Sequence, residues 1–232
     1  MQNTKKEYNT DMKKIWKQIG LVWIIILSLG IAVFLYQKQN YIATIIIDPG
    51  HGGYDVGSVA SDGTTYEKTM TLDYGLQIGK EIQKINPKIH VIYTRTSDYV
   101  PWPADEKLDL RYRIQQANQE EADFYLSIHM NASLNTEATG YSFHIQEEDP
   151  LAYTIAQQME TNLEKISWSH SRGIVYTSKQ PLYVVDQFNH SAMLLETGFI
   201  TNEEEFENLN SYSNKKKIAR AVAKAICDSF QN

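Results

Sequence analysis

The chain has 232 residues, 42% hydrophobic and 22% charged, with a net charge of −6; it has room for one globular domain plus a short appendage, and its composition excludes wholesale disorder and a multi-span membrane protein. Residues 1–38 hold six lysines and two acids, so the rest carries 16 basic and 26 acidic side chains, net −10, which argues against nucleic acid as a partner. The single cysteine, Cys227, excludes an intrachain disulfide and, on the apolar side of a C-terminal helical pattern, reads as a core residue.

Residues 1–18 form a basic segment with Lys5, Lys6, Lys13, Lys14 and Lys17. Residues 19–36 contain no charge and reach the span of a bilayer core, about 17–25 residues, so they read as one transmembrane anchor. Lysines crowd the segment before it, whereas only Lys38 follows before Lys68; this asymmetry places the N-terminus in the cytoplasm and the domain at 41–232 outside the cell membrane. A cleaved signal peptide is the rival reading, but its apolar core is usually about 7–15 residues and ends at a small-x-small site that is poorly formed here. A buried core helix does not fit a segment that is apolar on every face.

After a polar connection at 37–40, apolar runs at 44–47, 90–94, 124–129, 140–145, 174–177, 182–185 and 192–195 read as strands. Helical periodicity over 67–85, 108–118, 151–166 and 214–230 separates them. Apolar strands alternating with helices predict an α/β fold: a central, mostly parallel or mixed, twisted sheet of about six strands with helices on both faces. In such sheets ligands bind at the carboxyl ends of strands.

The first strand runs into Asp48-Pro49-Gly50-His51-Gly52-Gly53, a tight loop presenting one imidazole beside bare backbone, although a glycine turn with an incidental histidine is an equal reading of that segment alone. Glu67 opens the first long helix, where a carboxylate favours the helix dipole without further purpose. His129 ends an apolar strand before the polar Asn131-Ala132-Ser133, and Glu196 ends another, with Thr197-Gly198 turning directly after it. A carboxylate closing a buried strand needs a reason. Taken together, two histidines and a glutamate make the open three-ligand site of a zinc hydrolase, with a fourth group left as base.

The ordered segments Asp48 to Gly53 with Asp55 and Gly57, Gly63 with Glu67 and Lys68, Thr94-Arg95, Leu110 with Arg113, Ala117-Asn118, Ala122-Asp123, Ser127-Ile128-His129, Asn131-Ala132, and Glu196, Gly198, Phe199 and Asn202 resemble the zinc-dependent N-acetylmuramoyl-L-alanine amidases. The resemblance covers residues 45–230 or so, and it implies that His51, Glu67 and His129 hold one Zn2+ and that Glu196 is the catalytic carboxylate. Met130 departs from the pattern, where a small residue is usual, and so does Thr69, where an acid is common; both bear on substrate fit rather than on the metal.

The implied reaction is hydrolysis of the amide between the muramic acid lactyl group and the L-alanine of the stem peptide of peptidoglycan, with Glu196 moving the proton. A single anchor without wall-binding repeats is similar to the sporulation amidases that prepare spore cortex for muramic lactam formation and germination, and a protein activator is an expected partner. The competing readings are a general wall hydrolase of division or turnover, a zinc peptidase cutting within the stem, and a silent wall-binding scaffold. Asp55 and Asn131 read as ligand-orienting groups or as Asx turns, Arg113 as a substrate or ion-pair residue, and His144 as facing either toward the cleft or away from it. His90, His170 and His190 read as surface or loop residues.

Overall fold

The computed structural model describes residues 2–39 and 41–231, in two compact units that meet in sequence between Tyr41 and Ile42. The first unit is a single helix, α1 (Gln2–Gln39). Its stretch Lys14–Val33 has a mean hydropathy of 1.9 and is 0% buried, unlike a core helix. At about 1.5 Å per residue this stretch matches the thickness of a bilayer core, as a membrane anchor or a signal sequence requires. The stretch reaches back to Lys14 because the uncharged, largely aliphatic run from Ile19 onward outweighs Lys14 and Lys17 in the mean.

The second unit is a six-stranded sheet ordered β2-β1-β3-β6-β4-β5, built from β1 (Ala43–Pro49), β2 (Ile89–Tyr93), β3 (Phe124–Asn131), β4 (Tyr141–Ile145), β5 (Ser171–Tyr176) and β6 (Ser191–Phe199). The neighbours β2, β1, β3 and β6 are parallel, β4 is antiparallel to β6, and β5 is parallel to β4. The sheet is therefore mixed, as expected.

One face is covered by α2 (Glu67–Ile85), α4 (Pro150–Lys165) and α7 (Tyr212–Ser229). Each of them turns an apolar stripe inward, such as Met70, Tyr74, Ile78 and Ile82 of α2, onto Ile45, Ile47, Leu126, Ile128 and Leu195. Cys227 lies in this layer, fully buried. The opposite face is covered only in part, by α3 (Glu106–Gln119) and α5 (Tyr183–Asp186), against Ile46, Tyr125 and Leu194. Polar residues that alternate with core residues on the strands therefore emerge on a thinly covered face: Asp48, Ser127, His129, Ser142, His144 and Glu196.

Two expectations are corrected and one helix is added. Residues 182–185 are not a strand; they form the one-turn helix α5, where Val184 and Val185 are both buried and the Asp186 carboxylate accepts from the Leu182 amide at 2.9 Å. Two adjacent valines facing one core suit a helical turn rather than a pleat, and short apolar runs do not distinguish the two by themselves. The chain does not turn after Glu196, because β6 continues to Phe199 through an irregularity opposite His129/Asn131. The further helix α6 (Glu203–Asn210), capped by Asn202, lacked a sequence signal because its eight residues are mostly polar.

Candidate metal centre

The site begins with the buried end of β1. Asp48 is fully enclosed and accepts from the Thr94 hydroxyl (2.6 Å), the Ser127 hydroxyl (2.7 Å) and Arg113 Nη1 (2.7 Å). Burial pushes its carboxyl up, but Arg113 and these hydroxyls outweigh burial and hold it far below the usual carboxylate range. Past this anchor, His51, Gly52 and Gly53 all have positive φ, at 62°, 126° and 56°. For histidine that conformation costs energy and persists only when neighbours enforce it. The enforcement is visible: Arg113 Nη2 donates to the His51 carbonyl (2.7 Å), Arg95 donates to the Pro49 and Gly50 carbonyls (2.9 and 2.8 Å), and the Thr71 hydroxyl donates to the Gly50 carbonyl (2.7 Å).

The strained loop aims His51 at Glu67, the first residue of α2. Nε2 of His51 lies 3.0 Å from Glu67 Oε1, and Nδ1 of His129, near the end of β3, lies 3.2 Å from the same oxygen. The three ligand atoms all fall within 4.8 Å of one another. Two of the separations match the edge of a tetrahedron with metal–ligand bonds of about 2.0–2.1 Å, an edge of about 3.3 Å. Glu67 is fixed from behind by the amides of Met130 (2.9 Å, to Oε1) and Ser58 (2.9 Å, to Oε2). On its other side, Nδ1 of His51 is bonded to Asp55 Oδ2 at 2.7 Å, the carboxylate–histidine support typical of metal ligands.

Electrostatics agree with this geometry. Burial pulls the His51 imidazole down, but Asp55 and Glu67 outweigh it and raise the ring to about 9. Burial raises the Glu67 carboxyl, yet His129 and His51 hold it well below the usual range. Asp55 is lowered, chiefly by His51. Two imidazole nitrogens and an ionised carboxylate oxygen thus converge at one point, a donor set that suits a divalent metal and zinc in particular.

Glu196 stands beside them because β6 lies next to β3 in register, with His129 paired to Glu196 and Ser142 of β4 opposite. Its Oε2 is buried without a hydrogen-bond partner, and burial pushes the carboxyl up to about 7 against the downward pull of His129. A carboxyl in that state is suited to exchange protons near neutral pH.

The remaining predicted residues take distinct places. Arg113 is 2% exposed and braces the His51 loop, so it is not available to a substrate. Asn131 and His144 line the groove next to Glu196; His144 therefore faces the cleft, buried and lowered by burial and by His129. His170 also lines this groove, although its position between α4 and β5 read as plain loop. His190 is exposed, as expected, and His90 lies in β2 away from the site. Asp48, Thr71 and Arg95 carry no local signal beyond a charged residue closing an apolar strand, because the bonds that tie them into the site reach across 21 to 79 residues.

Residues 45–228 match the family described as N-acetylmuramoyl-L-alanine amidase. Among curated proteins, the chain is 30% identical over 237 residues, 93% of this chain and 94% of the relative, to the germination-specific N-acetylmuramoyl-L-alanine amidase of Bacillus subtilis. Among solved structures it is similar to the catalytic domain of the amidase CwlV from Bacillus (Paenibacillus) polymyxa, with a TM-score of 0.70 and 28% identity over 80% of this chain and 97% of that one. It is also similar to the CwlD amidase of Clostridioides difficile in complex with the GerS lipoprotein, with a TM-score of 0.71 and 25% identity over 81% and 98%.

Proposed function

The chain belongs to the N-acetylmuramoyl-L-alanine amidase family, and we propose that it performs that hydrolysis with one zinc ion held by His51, Glu67 and His129 and with Glu196 as the base. The observation that carries this reading is the convergence of three ligand atoms within 4.8 Å beside a buried, unpartnered Glu196 oxygen. Zinc held there supplies Lewis-acid polarisation of the scissile carbonyl and lowers the pKa of water. The chain does the rest. Asp55 and the amides of Met130 and Ser58 orient the ligands, and Glu196 accepts a proton from the attacking water and returns it to the departing nitrogen. The C–N bond breaks as the C–O bond forms, leaving a lactyl carboxylate on the glycan and a free amine on L-alanine.

The B. subtilis relative is named for germination, and its similarity over nearly the whole chain supports a role in spore peptidoglycan. The C. difficile relative was solved with a lipoprotein partner, which supports a protein partner for this chain. We further assign residues 19–36 as an uncleaved anchor with the catalytic domain, 41–232, outside the membrane; the flanking lysines support that orientation. The test is mass spectrometry of digested peptidoglycan with the full chain in detergent. Muramic acid freed of peptide, with the product lost in Glu196→Gln while one equivalent of zinc is retained, is expected; cleavage inside the stem peptide would overturn the bond assignment, and full activity of the variant would overturn the base.

A further inference from the structure

The thinly covered face that carries Glu196 continues past it as an open groove of about 570 Å3 over β4 and β5, reaching Asn131, His144, His170 and Arg172. Arg172 is the only guanidinium or ammonium lining this groove, in a domain with an excess of acids. Its guanidinium carbon lies 5.2 Å from the centroid of the Phe199 ring, and Nη1 donates to the Thr139 carbonyl at 3.2 Å. Among the described residues no carboxylate pairs with it. The side chain is thus held in place by a ring and one backbone bond while most of its donors stay open, and an arginine so placed presents a fork that fits a carboxylate.

The position of Phe199 sets how far this fork lies from the chemistry. Glu196 pairs with His129 and Phe199 with Asn131, so β6 has one extra residue between the two pairs. That extra residue turns Phe199 to the face that carries Glu196, where uninterrupted alternation would have turned it away. Phe199 therefore lies about 7–10 Å along β6 from the catalytic carboxylate, with the Arg172 guanidinium over its ring.

Resting on the amidase reading above, we propose that this groove receives the peptide half of the substrate and that Arg172 binds the free carboxylate of the second residue of the stem. The chemistry separates the two halves: the lactyl carboxyl is consumed in the scissile amide and leaves the glycan side neutral, whereas a glutamate joined onward through its side chain keeps its α-carboxylate ionised. That carboxylate lies about two residues, some 7 Å, from the scissile nitrogen, which with one hydrogen-bond length matches the spacing along β6. Asn131 and His144 line the groove between the two points.

The experiment uses the full chain in detergent and two glycopeptide fragments of peptidoglycan that differ only in whether that α-carboxylate is free or amidated. The wild type is expected to favour the free acid by about 10- to 100-fold in kcat/KM, the range of a charge-assisted hydrogen bond, mainly through KM. Arg172→Gln is expected to lose the preference by slowing only the acid substrate, and Arg172→Lys to keep part of it. Equal rates of the wild type on both fragments overturn the proposal without reference to any variant, and so does an Arg172→Gln enzyme that slows both alike, as an arginine serving only to pack on Phe199 would. Cleavage of either fragment at the lactyl–alanine bond upholds the amidase reading whatever Arg172 does; cleavage of neither removes both.

Discussion

Replacing Gly50 with alanine would put a methyl carbon 2.3 Å from Nε2 and 2.4 Å from Cε1 of His129, where unstrained contacts lie at about 3.5–4.0 Å. Gly50 is not among the positive-φ residues, so alanine suits its backbone and the conflict is confined to the ring. The backbone is also pinned: the Gly50 amide donates to the Ile128 carbonyl at 3.0 Å, and its own carbonyl accepts from Thr71 and Arg95 at 2.7 and 2.8 Å. The imidazole must therefore retreat by about 1 Å, against a tolerance of about 0.2 Å for a metal ligand. We expect hydrolysis to fall by about 100-fold or more and zinc affinity to fall with it, while the overpacked fold loses about 1–3 kcal/mol. Competition with a chromogenic chelator gives the affinity, and urea unfolding gives the stability. A Gly50→Ala chain that unfolds like its parent and binds zinc with unchanged affinity would refute the placement of His129 as a ligand.

Other perturbations test the supports of the site. Asp55→Asn weakens the hold on Nδ1 of His51 and is expected to lower zinc affinity by about 10- to 100-fold, read in the same competition assay; an unchanged constant would leave Asp55 a turn residue only. His51 sits at about 9, so at neutral pH its ring is protonated before metal arrives, and zinc must displace that proton. Affinity should therefore rise about tenfold per pH unit up to that value and flatten above it, with proton release visible by calorimetry in buffers of different ionisation enthalpy. Arg113→Met leaves Asp48 buried without its cation, at a cost of about 3–5 kcal/mol near pH 7. Because the Asp48 carboxyl is depressed in the fold, the stability it contributes is present above its unfolded value, about 3.9, and is lost as pH falls toward the folded one. The gap between variant and parent should accordingly narrow in acid.

What could be read in advance was whatever is written locally. The run ATIIIDP of β1 is apolar on both faces and hence a central strand, and the glycines after Asp48 mark a loop at its carboxyl end. His129 closes an apolar run, so its place near the carboxyl end of a strand follows from the same pattern. Glu67 is less legible, because its position in the first turn of α2 is explained equally well by the helix dipole; only the side-chain contacts, 3.0 and 3.2 Å to two histidines, favour a ligand over a cap. The run 182–185 fits a strand or a helical turn equally well until the layer its two buried valines face is known.

The sequence by itself determined the alternation of strands and helices, the apolar faces that bury them, and the kinds of donor available for chemistry, since apolar periodicity and residue type are local properties. Only the tertiary structure decided that Asp48 meets Arg113 across 65 residues, that Glu196 stands beside His129 through the β3–β6 register, and that His144 and Arg172 open onto the same groove. Those distances follow from strand order, register and one irregularity in β6. A shift of one residue in any pairing would turn the same side chains to the opposite face, and no local pattern records which pairing the folded core makes favourable.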